Sequence, residues 1–117
     1  MTQSYIGTKQ VLAWEQEKDG QPGYAVKYPD GYISWSPKDV FEEAYLPMGN
    51  VDHLPPHQQR VIGEHVQLKS KVDKLIEFIN GDRFLKLPKE DRELLANQLV
   101  CMAGYQATLE VRMERFA

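Results

Sequence analysis

The spacing of apolar residues changes character near residue 55. Before it the pattern has period two. Tyr24-Ala25-Val26-Lys27-Tyr28 alternates, which puts Tyr24, Val26 and Tyr28 on one face of a strand and Lys27 on the other. Tyr32 to Trp35 reads as the partner strand, and Pro29-Asp30-Gly31 between them is hairpin chemistry. Proline fixes φ at the first turn position, and glycine accepts the left-handed conformation of a bulge. Upstream, Ser4 to Trp14 is rich in β-branched and aromatic residues and predicts a further strand. Glu15 to Gly23, with Asp19-Gly20 and Pro22-Gly23, predicts a loop. Ser36-Pro37-Lys38-Asp39 then opens a helix over 37–46. Ser36 is placed to cap it, Pro37 suits the first helical position, Asp39 stands where a capping-box acid would, and Pro47 ends it. Val40, Phe41, Ala44 and Tyr45 form its apolar face.

After residue 55 the period becomes helical. Val61, His65, Leu68, Val72, Leu75 and Ile79 recur in steps of four and three, a coiled-coil-like seam with one histidine in it. Asn80-Gly81-Asp82 reads as a C-cap. Pro88 restarts a helix whose first turn holds Glu90 and Asp91, favourable against the dipole. Its seam is Leu95, Leu99, Met102, Gln106, Leu109, Met113 and Phe116. Two such helices with a short connection lie antiparallel. Ile62, Val66 and Ile76 widen the first stripe, and Leu94, Cys101 and Tyr105 widen the second, so a lone hairpin cannot bury both faces. That surplus predicts packing against the small sheet or against other copies of the chain.

The expected fold is therefore α+β and oligomeric. A β-rich module with a short helix, residues 1–54, precedes a helical hairpin, residues 55–117. Pro47-Met48-Gly49-Asn50 and Pro55-Pro56 form the seam between them, and no internal repeat or low-complexity run appears. The charge distribution agrees with the division. Residues 1–54 hold four lysines against eight acids, whereas residues 55–117 hold ten basic and nine acidic groups.

Composition removes several classes of function. The 117 residues are 42% hydrophobic and 26% charged, ordinary for a globular domain. No stretch approaches the ~18 consecutive apolar residues of a membrane span, and no basic region followed by an apolar core suggests secretion. Cys101 is the single cysteine, which excludes an intramolecular disulfide and makes a reducing cytoplasm the expected compartment. A net charge of −3 argues against a dedicated duplex-nucleic-acid binder.

Catalytic chemistry is poorly represented. His53, His57 and His65 do not fall at ligand spacing with cysteines, so neither a metal nor a cofactor is expected. Cys101 sits in an apolar helical setting with no adjacent cation to lower its pKa. Glu42-Glu43 and Glu90-Asp91 are placed as solvated acids, and the glycines form no phosphate-binding loop. An enzyme is not expected.

Binding chemistry is better represented. Gln98, Tyr105 and Arg112 recur every seven residues along the second long helix, with Asn97 beside them and Arg115 near the chain end. Amide, phenol and guanidinium groups suit nucleobase edges and phosphates. The same stripe would equally flank the core and pair with Glu110, Glu114 or a neighbouring subunit. Phe84, in the bridge between the helices, is an aromatic available for stacking. Tyr24, Tyr28, Tyr32 and Trp35 read either as a stacking platform or as the core of a tiny sheet. Lys27 is free to meet an anion or to be solvated at an edge.

Residues 23–45, with Tyr28-Pro29-Asp30-Gly31-Tyr32, Trp35-Ser36-Pro37-Lys38 and Val40-Phe41-Glu42, resemble an N-terminal module common in small bacteriophage and prophage proteins. Downstream, His57-Gln58-Gln59-Arg60-Val61-Ile62, Asp73 to Ile79, Phe84 to Pro88 and Leu94-Leu95 through Tyr105 resemble a phage helical-hairpin domain. That hairpin is similar to the one shared by phage sponge proteins that counter the Thoeris and CBASS defences, and the two-part layout looks most like the first Thoeris anti-defence family. The resemblance implies a hexameric, non-catalytic protein of the host cytoplasm that sequesters a cyclic ADP-ribose isomer. A cyclic di- or trinucleotide is the alternative ligand, and a protein-binding accessory role is the alternative from another class. Phe84 and Asn97, or Gln98 in its place, are implied as the stacking and amide contacts to adenine. Lys27 and Arg112 are implied at a second, cyclic-oligonucleotide site. Trp35, Tyr105 and Arg115 complete the candidate ligand-binding set.

Overall fold

Turn chemistry builds the first of two compact units, Met1–Leu46 and Pro47–Ala117. The computed structural model describes residues 1–116. Strands β1 (Leu12–Glu15), β2 (Gly23–Lys27) and β3 (Ile33–Pro37) form an antiparallel sheet in that spatial order. Asp19 and Gly20 both take positive φ, 52° and 80°, the two-residue turn whose twist matches a hairpin. Lys18 and Gln21 exchange both backbone bonds at 2.9 Å around it. In the second hairpin the Gly31 amide donates to Tyr28 O at 2.8 Å and the Tyr28 amide to Tyr32 O at 2.9 Å. Gly31 lies at φ 92°, the expected bulge.

Pairing fixes the two sheet faces. Ala25 stands opposite both Trp14 and Trp35, and Lys27 stands opposite both Leu12 and Ile33. Tyr24, opposite Glu15 and Ser36, belongs to the other face. Helix α1 (Lys38–Ala44) lies on that side, where Phe41 stacks between Tyr24 and Tyr45 at centroid distances of 4.4 and 4.9 Å. The Tyr24 hydroxyl donates to Glu42 Oε2 at 2.7 Å, which raises its pKa.

Two local expectations are corrected. The strand over Ser4–Trp14 is reduced to β1, and residues 1–10 form no regular element. Strand propensity without a partner on the outer edge does not make a strand. Ser36 does not cap α1. The β2–β3 ladder continues through the Gly23–Pro37 pair, and the Lys38 amide donates to Pro22 O at 3.1 Å, so the N-cap moves to Pro37. Ser36 Oγ bonds to Pro37 O instead, and Asp39 accepts from the Val40 amide.

In the second unit α2 (Pro56–Ile79) and α4 (Lys89–Glu114) form the antiparallel hairpin, joined through the short α3 (Asp82–Leu85). Pro56 occupies the first helical position, where its missing N–H costs nothing. Val61, Leu68 and Val72 of α2 bury against Leu109 of α4, with Leu99, Met102, Met113 and Phe116 packed around them. This is the seam that the four–three spacing predicts. At the bend, Gly81 takes an extended φ of −100° and serves as N-cap of α3, so α2 ends without a left-handed glycine.

Candidate functional site

Helix α4 carries four of the eight candidate residues, with Arg115 as its C-cap, and only one side of it is used for folding. At 100° per residue, Leu95, Leu99, Met102, Leu109 and Met113 fall on one face. Leu94, Val100, Tyr105 and Val111 point elsewhere and are exposed. Gln98, Tyr105 and Arg112 run along one edge of the buried stripe over roughly 21 Å, given 1.5 Å per residue. Asn97 lies farther round, toward the exposed side. Asn97, Tyr105, Arg112 and Arg115 are exposed and make no side-chain hydrogen bond or ion pair among the described residues. Gln98 reaches only the Met102 sulfur, at 3.6 Å. Free amide, phenol and guanidinium groups thus stand along α4 and its C-cap, from Asn97 to Arg115.

Phe84 stands in α3, half-buried, with its ring edge-on to Phe78 at 6.2 Å and 81°. That contact places it at the α2–α3 bend. Nearby in sequence, Arg92 has a buried Nε with no partner.

Of Glu110 and Glu114, the acids that the stripe would use if it were purely structural, Glu110 is engaged elsewhere. Glu110 Oε2 receives His65 Nε2 at 2.9 Å and Gln106 Nε2 at 3.2 Å. These bonds, His65 first, hold the Glu110 carboxyl below its ordinary range. The histidine in the α2 seam thereby finds its partner across the hairpin. Sequence spacing makes His65 and Gln106 seam positions and offers Glu110 to the polar stripe of α4, but does not join it to His65. The available signal was that a polar seam residue needs a polar partner on the facing helix.

The candidates of the first unit separate. Tyr28 and Tyr32 stack at 6.0 Å, and Tyr24 joins Phe41, whereas Trp35 lies on the opposite face. The four aromatics are therefore not one cluster, because Trp35 is an odd number of residues from Tyr32 and pairs with Ala25. Trp35 is committed to its own sheet. Its ring covers Gly23 so closely that a Cβ there would clash with it, and its Nε1 donates to Gln16 O at 2.7 Å. Lys27 is exposed on this same face between Leu12 and Ile33.

Among the described residues no group of three or more His, Cys, Asp and Glu could hold a metal ion, and no helix is long and apolar enough to cross a membrane. The model of the Sequestin family matches residues 55–115, the span of the hairpin. The chain is also similar to an uncharacterized 7.5 kDa protein in the denB-rIIB intergenic region of enterobacteria phage T4. The two are 35% identical over 60 residues, 51% of this chain and 94% of the relative. No solved structure matches.

Proposed function

The chain belongs to the Sequestin family, and on that premise we propose that it is a phage protein that binds and withholds a cyclic nucleotide immune signal without cleaving it. The free polar stripe of α4 carries this reading: Asn97, Gln98, Tyr105 and Arg112 offer base-edge and phosphate chemistry with almost no internal partners. Asn97 or Gln98 of one copy reads adenine and Phe84 stacks on it, while Arg112 and Arg115 of a neighbouring copy neutralise the pyrophosphate or phosphodiester, because roughly 21 Å of helix separates these groups within one chain. The ligand is a cyclic ADP-ribose isomer, so its capture silences Thoeris in the host cytoplasm. Exposed Leu94, Val100 and Val111 favour a homo-oligomer, a hexamer by the family resemblance, whose subunit interfaces enclose the ligand.

Lys27 supports a second reading, a sponge for cyclic di- or trinucleotides that counters CBASS. It is an exposed cation on a sheet face that also holds Leu12, Trp14, Ala25, Ile33 and Trp35. Calorimetric titration with a glycocyclic ADP-ribose and with cyclic di- and trinucleotides decides between the two, followed by recovery of the ligand after heat denaturation. Intact ligand returned from a tight complex is the expected result. A hydrolysed product would sink the sponge reading, and an oligomer that takes none of these ligands would favour a protein-binding accessory.

A further inference from the structure

The first ten residues have the composition of a strand and no strand to pair with. Tyr5 is 85% exposed and Ile6 98%, a β-favouring pair that contributes almost nothing to the fold of its own chain. The sheet, meanwhile, has an open edge at β3. In an antiparallel ladder, hydrogen-bonded and non-hydrogen-bonded pairs alternate. Tyr28–Tyr32 is a bonded pair, and the ladder continues to the Lys38-to-Pro22 bond, so Val26–Ser34 and Tyr24–Ser36 are bonded pairs too. Ile33 and Trp35 therefore send their N–H and C=O groups outward from the sheet. Neither a lysine nor a bulge protects that edge, and Pro37 blocks only its end.

We propose that the segment around Tyr5-Ile6-Gly7 of one copy adds as a fourth strand to the β3 edge of a second copy. Three observations select a second copy as the occupant. The segment enters β1, at the edge of the sheet opposite β3, so its own chain would have to carry it across two strand spacings of about 4.8 Å each. Lys9 is held over the Tyr28 ring at 4.6 Å, at the hairpin end of the sheet. Charge is complementary as well: residues 1–10 carry one lysine and no acid, whereas residues 11–46 carry three lysines and seven acids. Exposed Ile33, beside the edge, provides apolar surface for the arriving Tyr5 or Ile6. A two-fold pair of copies satisfies both edges at once. This exchange uses only the first unit and does not depend on the ligand reading.

The test places the photo-crosslinking residue p-benzoylphenylalanine at Tyr5 in the full chain. ¹⁵N-labelled and unlabelled chains are unfolded and refolded together, irradiated, and mapped by mass spectrometry. The expected product joins residue 5 to the peptide holding Ile33–Pro37, with about half of the pairs carrying mixed isotopes, the statistical share for exchange between copies. Ile33→Pro removes only an outward N–H, so it leaves β2–β3 pairing intact and should cut the yield at least tenfold. Gly7→Pro on the donor side, where a side chain meets nothing within 4 Å, should do the same. Crosslinks confined to one isotope would assign the tail to its own chain and overturn the proposal. So would crosslinks to another segment or another protein, or a yield that neither proline changes.

Discussion

Helices α2 and α4 have nearly equal lengths, 24 and 26 residues, and share one interface, yet their other faces differ. In α2 the apolar residues gather into the seam and its borders, and Lys69, Lys71, Asp73, Lys74 and Glu77 cover the rest. In α4 apolar residues run all the way round, from Leu109 at 1% exposure to Val100 at 71%. A helix that faces only water does not need Leu94, Val100 and Val111 on its outer side. The contrast separates the face of α4 that folds the hairpin from the face that folding leaves free, where the proposed association and ligand would lie.

The sharpest way to break this contrast is at the two ends of the exposure range. Leu109→Ala empties a site walled by Val61, Leu68 and Val72 and should lower unfolding free energy by about 3 kcal/mol, read as a shift in the urea midpoint. Val100→Ala should change it by less than about 0.5 kcal/mol. Equal losses at the two positions would mean that the outer face is already packed.

Association gives the next largest effect. Val100→Asp places a charge where the proposed oligomer excludes water. It should raise the dissociation constant at least tenfold, about 1.4 kcal/mol, while the unfolding of the dissociated chain stays unchanged. Sedimentation velocity across a dilution series reads the difference. An oligomer unaffected by the charge would move the interface elsewhere, with the β3 edge as the remaining candidate.

These effects also show which features are legible in a sequence. The Pro29-Asp30-Gly31 hairpin and the α2–α4 seam are local chemistry and simple periodicity, and both stand where the residues place them. Ser36 fails as a cap because strand pairing through Pro37 outcompetes a local signal. Ser4 to Gln10 fails as a strand because propensity cannot supply a partner. The separation of Trp35 from the tyrosines follows from register, which was readable once the Tyr28–Tyr32 bulge was recognised. The Glu110 partner of His65 was beyond spacing arguments, since it depends on the stagger of two helices.

That pair gives a pH test. The folded Glu110 carboxyl is held below its ordinary value of 4.5 by the bond from His65, then by that from Gln106. A depressed folded pKa adds stability that is fully present above 4.5 and fades as pH falls through the lower folded value. Glu110→Gln should therefore flatten the acid limb of the urea midpoint against pH below about 4.5. The effect is smaller than either preceding one because the carboxylate is solvated. An unaltered acid limb would mean that the His65 bond does not persist in solution.

The smallest effect on stability should coincide with the largest on binding. Asn97 is exposed and makes no side-chain bond, so Asn97→Ala should leave the urea midpoint within about 0.5 kcal/mol of the parent. If its amide reads the base, the same change should weaken nucleotide affinity at least tenfold, since a lost base-edge bond leaves a buried polar group on the ligand unpaired. Gln98→Ala is the internal control, because its amide already touches the Met102 sulfur and lies nearer the core edge. Affinity lost at Asn97 alone would place the ligand on the outer side of α4. Affinity lost at Gln98 alone would bring it to the edge shared with Tyr105 and Arg112. If assembly fails in both variants while affinity per folded chain is kept, the amides serve the subunit interface, and the face of α4 that folding leaves free belongs to protein rather than to ligand.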